Sequence, residues 1–281
     1  MLSFEKDLSM KNRFIILVDL SPDSEHLIRF VCQWSQNIGA DTLLVHHTPL
    51  MLPALTPFES KKRLTKIANQ ESLDKLRRLA EAVLPGLMPI RFFVSEKPLV
   101  HQLRTLLRGP LNNLVFLGLS KKGLLEKLFI GSEAVKVIDG IDNLIVAVPL
   151  NPECCSSETI HVAVQKNNPL NVIDFNKFLN FRKASIKDIV FFSVLEPGDD
   201  WNDAEKYLKD LTEFYSDRYS VTNEMYKIQG GFQDLKRIIL EKKDGFIVVQ
   251  RGSRMFLDQI FRKFLINELV YEGNIPLVIL P

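Results

Sequence analysis

The sequence predicts an α/β fold present twice in one chain, and three observations carry that expectation. Short apolar runs that read as buried strands alternate with longer segments of helical periodicity. The joints between them are short, as in parallel sheets with crossover helices. Beyond about residue 158 the same order of elements begins again.

The first strand is the run Phe14 to Val18, ending at Asp19. A helix start follows. Ser21 is placed to cap free backbone N–H groups, Pro22 suits the first helical position, and Asp23 and Glu25 favour the positive end of the helix dipole. Leu27, Ile28, Val31, Trp34 and Ile38 then recur at helical spacing, and Gly39 ends the segment. Thr42 to Val45 reads as the second strand. A Pro-rich excursion from Pro49 to Pro57 leads into a long charged helix reaching about Leu84, with Leu73, Leu76 and Leu79 at apolar positions and Pro85 as its stop. Ile90 to Val94 (strand), Pro98 to Leu107 (helix) and Leu114 to Leu117 (strand) continue the alternation. Gly118 to Gly131 reads as a loop entering a helix, and Leu144 to Val148 as a fifth strand closed by Pro149.

Asn151 to Glu158 clusters Pro, Cys and Ser and reads as a linker. After it, Ile160 to Val164, Asp188 to Val194, Met225 to Ile228, Phe246 to Val249 and Leu277 to Leu280 repeat the five strands. The last part aligns without a gap: Val115-Phe116-Leu117 with Ile247-Val248-Val249, Phe129 with Phe261, Pro149 with Pro281. The expected domains are 1–150 and 151–281, the second shorter mainly because it lacks the excursion and part of the long helix. A chain of 281 residues is long enough for two such cores.

Composition narrows the function classes. A net charge of +2, with bases and acids interspersed, gives no nucleic-acid surface. No apolar run approaches the length that spans a bilayer, and Met1 to Arg13 is polar, so neither signal peptide nor anchor is expected and the location expected is the cytoplasm. The three cysteines, Cys32 and the adjacent Cys154 and Cys155, match neither a disulfide framework nor a zinc site.

In an open parallel sheet, ligands sit beyond the carboxyl ends of the strands where the strand order reverses, which points to the loops after the first and fourth strands. Those loops hold Asp19 and the stretch from Gly118 to Ser132. The stretch resembles the loop of ATP-binding universal stress proteins: Gly, two residues, Gly, nine residues, Gly, then Ser or Thr. Gly118, Gly131 and Ser132 match its first and third glycines and its hydroxyl, and Asp19 matches the aspartate that ends the first strand. The resemblance extends over nearly the whole first half, to Asn143 through Pro149.

That resemblance implies two Rossmann-like domains of the adenine nucleotide alpha hydrolase-like kind, each a five-stranded parallel sheet in the order 3-2-1-4-5. It also implies pairing through the fifth strands, within the chain or in a homodimer. It implies ATP or another adenine nucleotide, with Mg²⁺, bound by Asp19, Ser21, Gly118, Lys121, Lys122, Gly131 and Ser132, Asp19 contacting the adenosine portion. The second glycine of the motif is replaced by Lys121. A side chain there obstructs the backbone's approach to a phosphate, whereas a lysine offers it charge, as does Lys122. In the second half the corresponding residues are Gln165, Gln250, Ser253, Lys263 and Phe264, so that half reads as a structural copy without the motif.

The expectation is therefore a tandem universal-stress-type protein whose first domain acts as a nucleotide switch in stress adaptation. The alternative is a nucleotide-free interaction module of the same fold. No nucleophile with an activating partner is visible, so an enzyme is not expected, slow ATP hydrolysis aside. His46 and His47 read as strand residues on opposite faces, and His26, His101 and His161 as surface or cap residues. Asp199-Asp200-Trp201 reads as a solvated loop, and Met255 to Leu269 as the core face of a helix whose density leaves room for a subunit contact.

Overall fold

The computed structural model describes residues 10–84, 86, 89–118, 127–149, 158–182, 185–229, 232–242, 244–253 and 275–281, with the side chains of 127–133, 232 and 235 excepted. In the first half β1 (Asn12–Leu17), α1 (Ser24–Ile38), β2 (Asp41–His47), α2 (Phe58–Val83), β3 (Ile90–Ser95), α3 (Leu99–Leu106), β4 (Asn112–Gly118), α4 (Lys127–Gly140) and β5 (Ile145–Val148) follow one another. The second half supplies β6 (Thr159–Ala163), α5 (Val172–Arg182), β7 (Asp188–Leu195), α6 (Trp201–Ser216), β8 (Ser220–Lys227), α7 (Phe232–Leu240), β9 (Phe246–Gln250) and β10 (Leu277–Leu280).

All ten strands form one sheet, in the order β3-β2-β1-β4-β5-β10-β9-β6-β7-β8. Each half has the order 3-2-1-4-5 and is parallel throughout. The halves meet where β5 runs antiparallel to β10, with Val146 opposite Val278. Central strands such as Phe14-Ile15-Ile16 and Phe246 to Val249 are fully buried because helices cover both faces of the sheet, which is why they are apolar without alternation. Side chains alternate between two cores. One holds Phe14, Ile16, Phe116, Phe191 and Phe246 with α1, and the other holds Ile15, Val115, Phe192 and Ile247 with α4.

The first core crosses between the halves. Trp34 of α1 donates its Nε1–H to the Phe181 carbonyl at 2.8 Å, and its ring meets Phe14, Phe116 and Phe246 at centroid distances of 5.3, 5.3 and 5.7 Å. The buried Arg182 guanidinium lies over both Trp34 and Phe246, at 5.0 and 4.7 Å. On the other side of the sheet, Arg251 donates to the carbonyls of Ile138 and Ile141 at the end of α4 and to Asp142. Cations at a helix carboxyl end are favoured by the dipole.

Three local expectations are corrected. Ser21 does not cap α1: the helix begins at Ser24, its N-cap residue Asp23 makes no side-chain cap bond, and Ser21 turns to Asp19 instead. The loop expected to run to Gly131 passes into α4 at Lys127, so Gly131 and Ser132 lie in the second turn of the helix rather than at its entrance. The third strand of the second half begins at Ser220, five residues before Met225, because an edge strand tolerates polar residues. Gly39 does end α1, in the left-handed conformation at φ 65°.

Candidate functional site

The strand order reverses between β1 and β4, and there a cavity of about 770 Å³ opens beyond the carboxyl ends of β1, β2, β4 and β5. That volume lies within the roughly 300–1,000 Å³ of small-molecule sites. Its described lining is mainly apolar: Val18, Leu27, Pro49, Leu117, Val137 and Val148 are among the contributors. The polar groups are Asp19, Ser21, Asp23, Ser24, His46, His47, Thr48, Glu71, Ser72 and Lys75.

Asp19 is fixed by its own loop. Its Oδ1 accepts the Ser21 backbone N–H at 3.0 Å and the hydroxyls of Ser21 and Ser24, each at 2.6 Å. Leu20 between them adopts φ 60°, the one positive φ outside glycine among the described residues. A bulky residue in that region costs roughly 1–3 kcal/mol and persists where the surroundings over-determine it. Here the three donors converging on one carboxylate oxygen supply that constraint.

His46 is buried at the end of β2 with Nδ1 2.7 Å from the Val18 carbonyl. A nitrogen facing a carbonyl must carry the proton, so Nε2 is the acceptor. Burial pushes the imidazole pKa down; the Val18 bond and Asp19 oppose this, and His47 and Lys75 add to it. His46 and His47 both line the cavity, which lies at the carboxyl end of β2. Among the described residues no three His, Cys, Asp or Glu side chains gather to hold a metal.

Of the residues expected at the site, Asp19, Ser21 and Gly118 line the cavity. Lys121 and Lys122 lie outside the described residues, and Gly131 and Ser132 are placed only as helical backbone in α4. Gly118 has a packing reason to lack a side chain: a Cβ there would meet Leu27 Cδ2 at 3.1 Å. Sequence reading missed Ser24, Glu71, Ser72 and Lys75. The signal was present, since Ala68, Glu71, Ser72 and Lys75 recur at helical spacing on one side of α2.

At the second switch point, between β6 and β9, the described loops bond to one another, and a small cavity of about 170 Å³ lies beside them, lined by Gln165, Lys166 and Asp203 among others. Gln250 at the end of β9, aligned with Gly118, accepts the Asn171 N–H at 2.6 Å and donates to the Pro169 carbonyl at 3.0 Å. Gln165 pairs with Asn168 in the same loop. Lys263 and Phe264 lie outside the described residues, as do Cys154, Cys155 and the segment from Met255 to Leu269.

Asp199 accepts the Glu196 N–H and Asp200 caps α6 through the Asp203 N–H. His161 is buried in β6, not exposed, and neither ring nitrogen has a hydrogen-bond partner at ordinary distance. Burial and Lys242 lower its pKa, against Glu224 and Asp244. Lys242 is itself buried, ion-paired to Glu224 and over the rings of Phe192 and Tyr226. Burial pushes the Cys32 thiol up to about 12, which leaves it inert.

No family model matches the chain, and no curated protein matches it. Solved structures do. A universal stress protein from Archaeoglobus fulgidus DSM 4304 is 13% identical, with 96% of each chain covered and a TM-score of 0.63. A functionally unknown protein from Pseudomonas aeruginosa PAO1 is 10% identical, covering 97% of this chain and 92% of that one at a TM-score of 0.55. The cytoplasmic domain of a prokaryotic cation chloride cotransporter is also 10% identical, covering 96% and 95% at a TM-score of 0.52. At such identities the likeness is one of fold, and the fold of this chain, across both halves, is that of the universal stress proteins.

Proposed function

We propose that the first half, as a domain spanning 1–150, binds an adenine nucleotide in the cavity beside Asp19 and works as a ligand-dependent switch in stress adaptation. The single observation that carries this reading is the cavity at the β1/β4 switch point, with a carboxylate held at its edge by three donors. Apolar side chains such as Val18 and Pro49 suit a planar base, and a fixed carboxylate suits ribose hydroxyls. In the described lining the acids Asp19, Asp23 and Glu71 outnumber Lys75, so phosphates belong toward α4. In the sequence Lys121 and Lys122 come shortly before α4, and bound Mg²⁺ would offset the charge of a triphosphate. The second half, 151–281, serves as a structural partner paired through β5 and β10, with Gln250 occupying the place of a ligand. The role is binding rather than catalysis, in the cytoplasm.

The test is to denature the purified chain, identify released nucleotide, and titrate ATP with Mg²⁺, ADP and AMP into stripped protein by calorimetry. About one equivalent per chain is expected, weakened roughly tenfold or more by Asp19→Asn, which removes the charged acceptor. No released nucleotide and no heat at millimolar ligand would reject this reading. That outcome would favour the interaction module, for which Gly118 is a packing residue against Leu27 and nothing more.

A further inference from the structure

Among the described residues, the two halves differ between their second strand and second helix. In the second half β7 reaches α6 through five residues, Glu196 to Asp200, and α6 has 16 residues. In the first half Thr48 to Pro57 intervenes and α2 has 26 residues, the first buried one being Ser72. Of Phe58 through Ile67 only Thr65 is even half-buried. The twin half covers its sheet without such an addition, so these roughly 15 Å of helix do nothing for the core.

The addition carries a concentration of exposed apolar groups. Met51 is 96%, Leu55 95% and Phe58 74% exposed, and Leu64 and Ile67 are exposed as well. Interleaved with them are Lys61, Lys62, Arg63 and Lys66, against the single acid Glu59, all exposed. Phe58, Lys61, Lys62 and Lys66 share one side of the helix, and Leu64 and Ile67 lie on another. Apolar groups held in water beside one sign of charge mark an interaction surface.

We infer that Met51 to Lys66 docks on a surface of anionic phospholipid, Met51, Leu55 and Phe58 entering the headgroup boundary and Lys61, Lys62 and Lys66 meeting lipid phosphates and carboxylates. Charge selects this occupant. A second copy docking through the same face would set Lys61, Lys62 and Lys66 against their own images. The segment stands out from the fold as a helix rather than a groove, and it offers no Tyr or Trp of the kind that anchors protein interfaces. Basic residues among Leu, Phe and Met side chains are the composition of helices that lie on membranes. The protein lies on the bilayer; among the described residues no helix is long and apolar enough to cross it.

The experiment is co-sedimentation of the full chain with vesicles of phosphatidylcholine containing about 30% phosphatidylserine, and with pure phosphatidylcholine vesicles. Binding is expected to the anionic vesicles only, falling with salt and weakening roughly fivefold for each of Lys61→Gln and Lys62→Gln. Leu55→Ser with Phe58→Ser should release the protein at unchanged melting temperature, since both side chains are exposed. Three results would overturn the inference: no sedimentation with the anionic vesicles, equal binding to neutral ones, or a solution dimer that Phe58→Ser dissociates. The last would assign the face to a second copy.

Discussion

Replacing Trp34 by alanine tests whether the two halves are one cooperative unit. Large-to-small changes of a buried aromatic cost about 3–5 kcal/mol through lost transfer energy and residual cavity. Trp34 also donates to the Phe181 carbonyl, and an orphaned buried acceptor adds about 1–3 kcal/mol. The Arg182 guanidinium loses one of its two rings, at about 1 kcal/mol. These contributions overlap, so about 5 kcal/mol is expected in total. With a denaturant slope of about 3 kcal/mol/M for a chain this long, the urea midpoint should fall by about 1.5 M or more. The chain has two tryptophans, and in the variant Trp201 of α6, on the far side of the second half, reports alone. Its fluorescence and the far-ultraviolet circular dichroism should fall in one shared transition, because Phe181, Arg182 and Phe246 belong to the second half. A Trp201 transition that keeps the wild-type midpoint while the dichroism splits into two steps would refute a shared core.

Acid should destabilise the fold through its buried imidazoles. His46 and His161 have pKa values below the ordinary 6.5, so the unfolded chain takes up protons first; stability is full above about pH 6.5 and is lost as pH falls beneath it. Melting temperature measured from pH 8 to pH 5 should drop, and His161→Leu should flatten the drop; a level or rising profile contradicts this. Arg251→Ala removes the guanidinium that bonds Ile138, Ile141 and Asp142, and should cost about 1–2 kcal/mol. Thermal unfolding checks that value, and an unchanged midpoint would mean water replaces the cation at the end of α4.

Most of the fold was legible because strands buried on both faces are written as unbroken apolar runs, such as Phe14 to Val18 and Phe246 to Val249. The repeat was legible because the fourth and fifth strands align without a gap. The edge strand β8 was only half legible, since Ser220 to Asn223 carry no apolar run to read. At the site, the switch point and Asp19 followed from topology. Ser21 was misread because a capping residue and a partner for Asp19 look alike in sequence, and competition among nearby hydrogen bonds decides between them. The left-handed Leu20 had no signal, since residue type argues against it. His161 was misread for a related reason: the alternation that marks a half-exposed strand is absent when helices cover both faces, so a lone histidine among apolar residues is carried into the core.

The junction of β5 with β10 turns what would be an encounter between two molecules into an event within one. Dilution cannot separate the partners, because each meets the other at a concentration set by the chain rather than by the solution. Symmetry is also lifted. In a pair of identical subunits every substitution appears twice, so a side chain that fills one ligand edge fills both. Joined in one polypeptide, the halves change separately: at aligned strand ends, Gln250 bonds Asn171 and Pro169 in the second half, while Gly118 packs on Leu27 beside the cavity in the first.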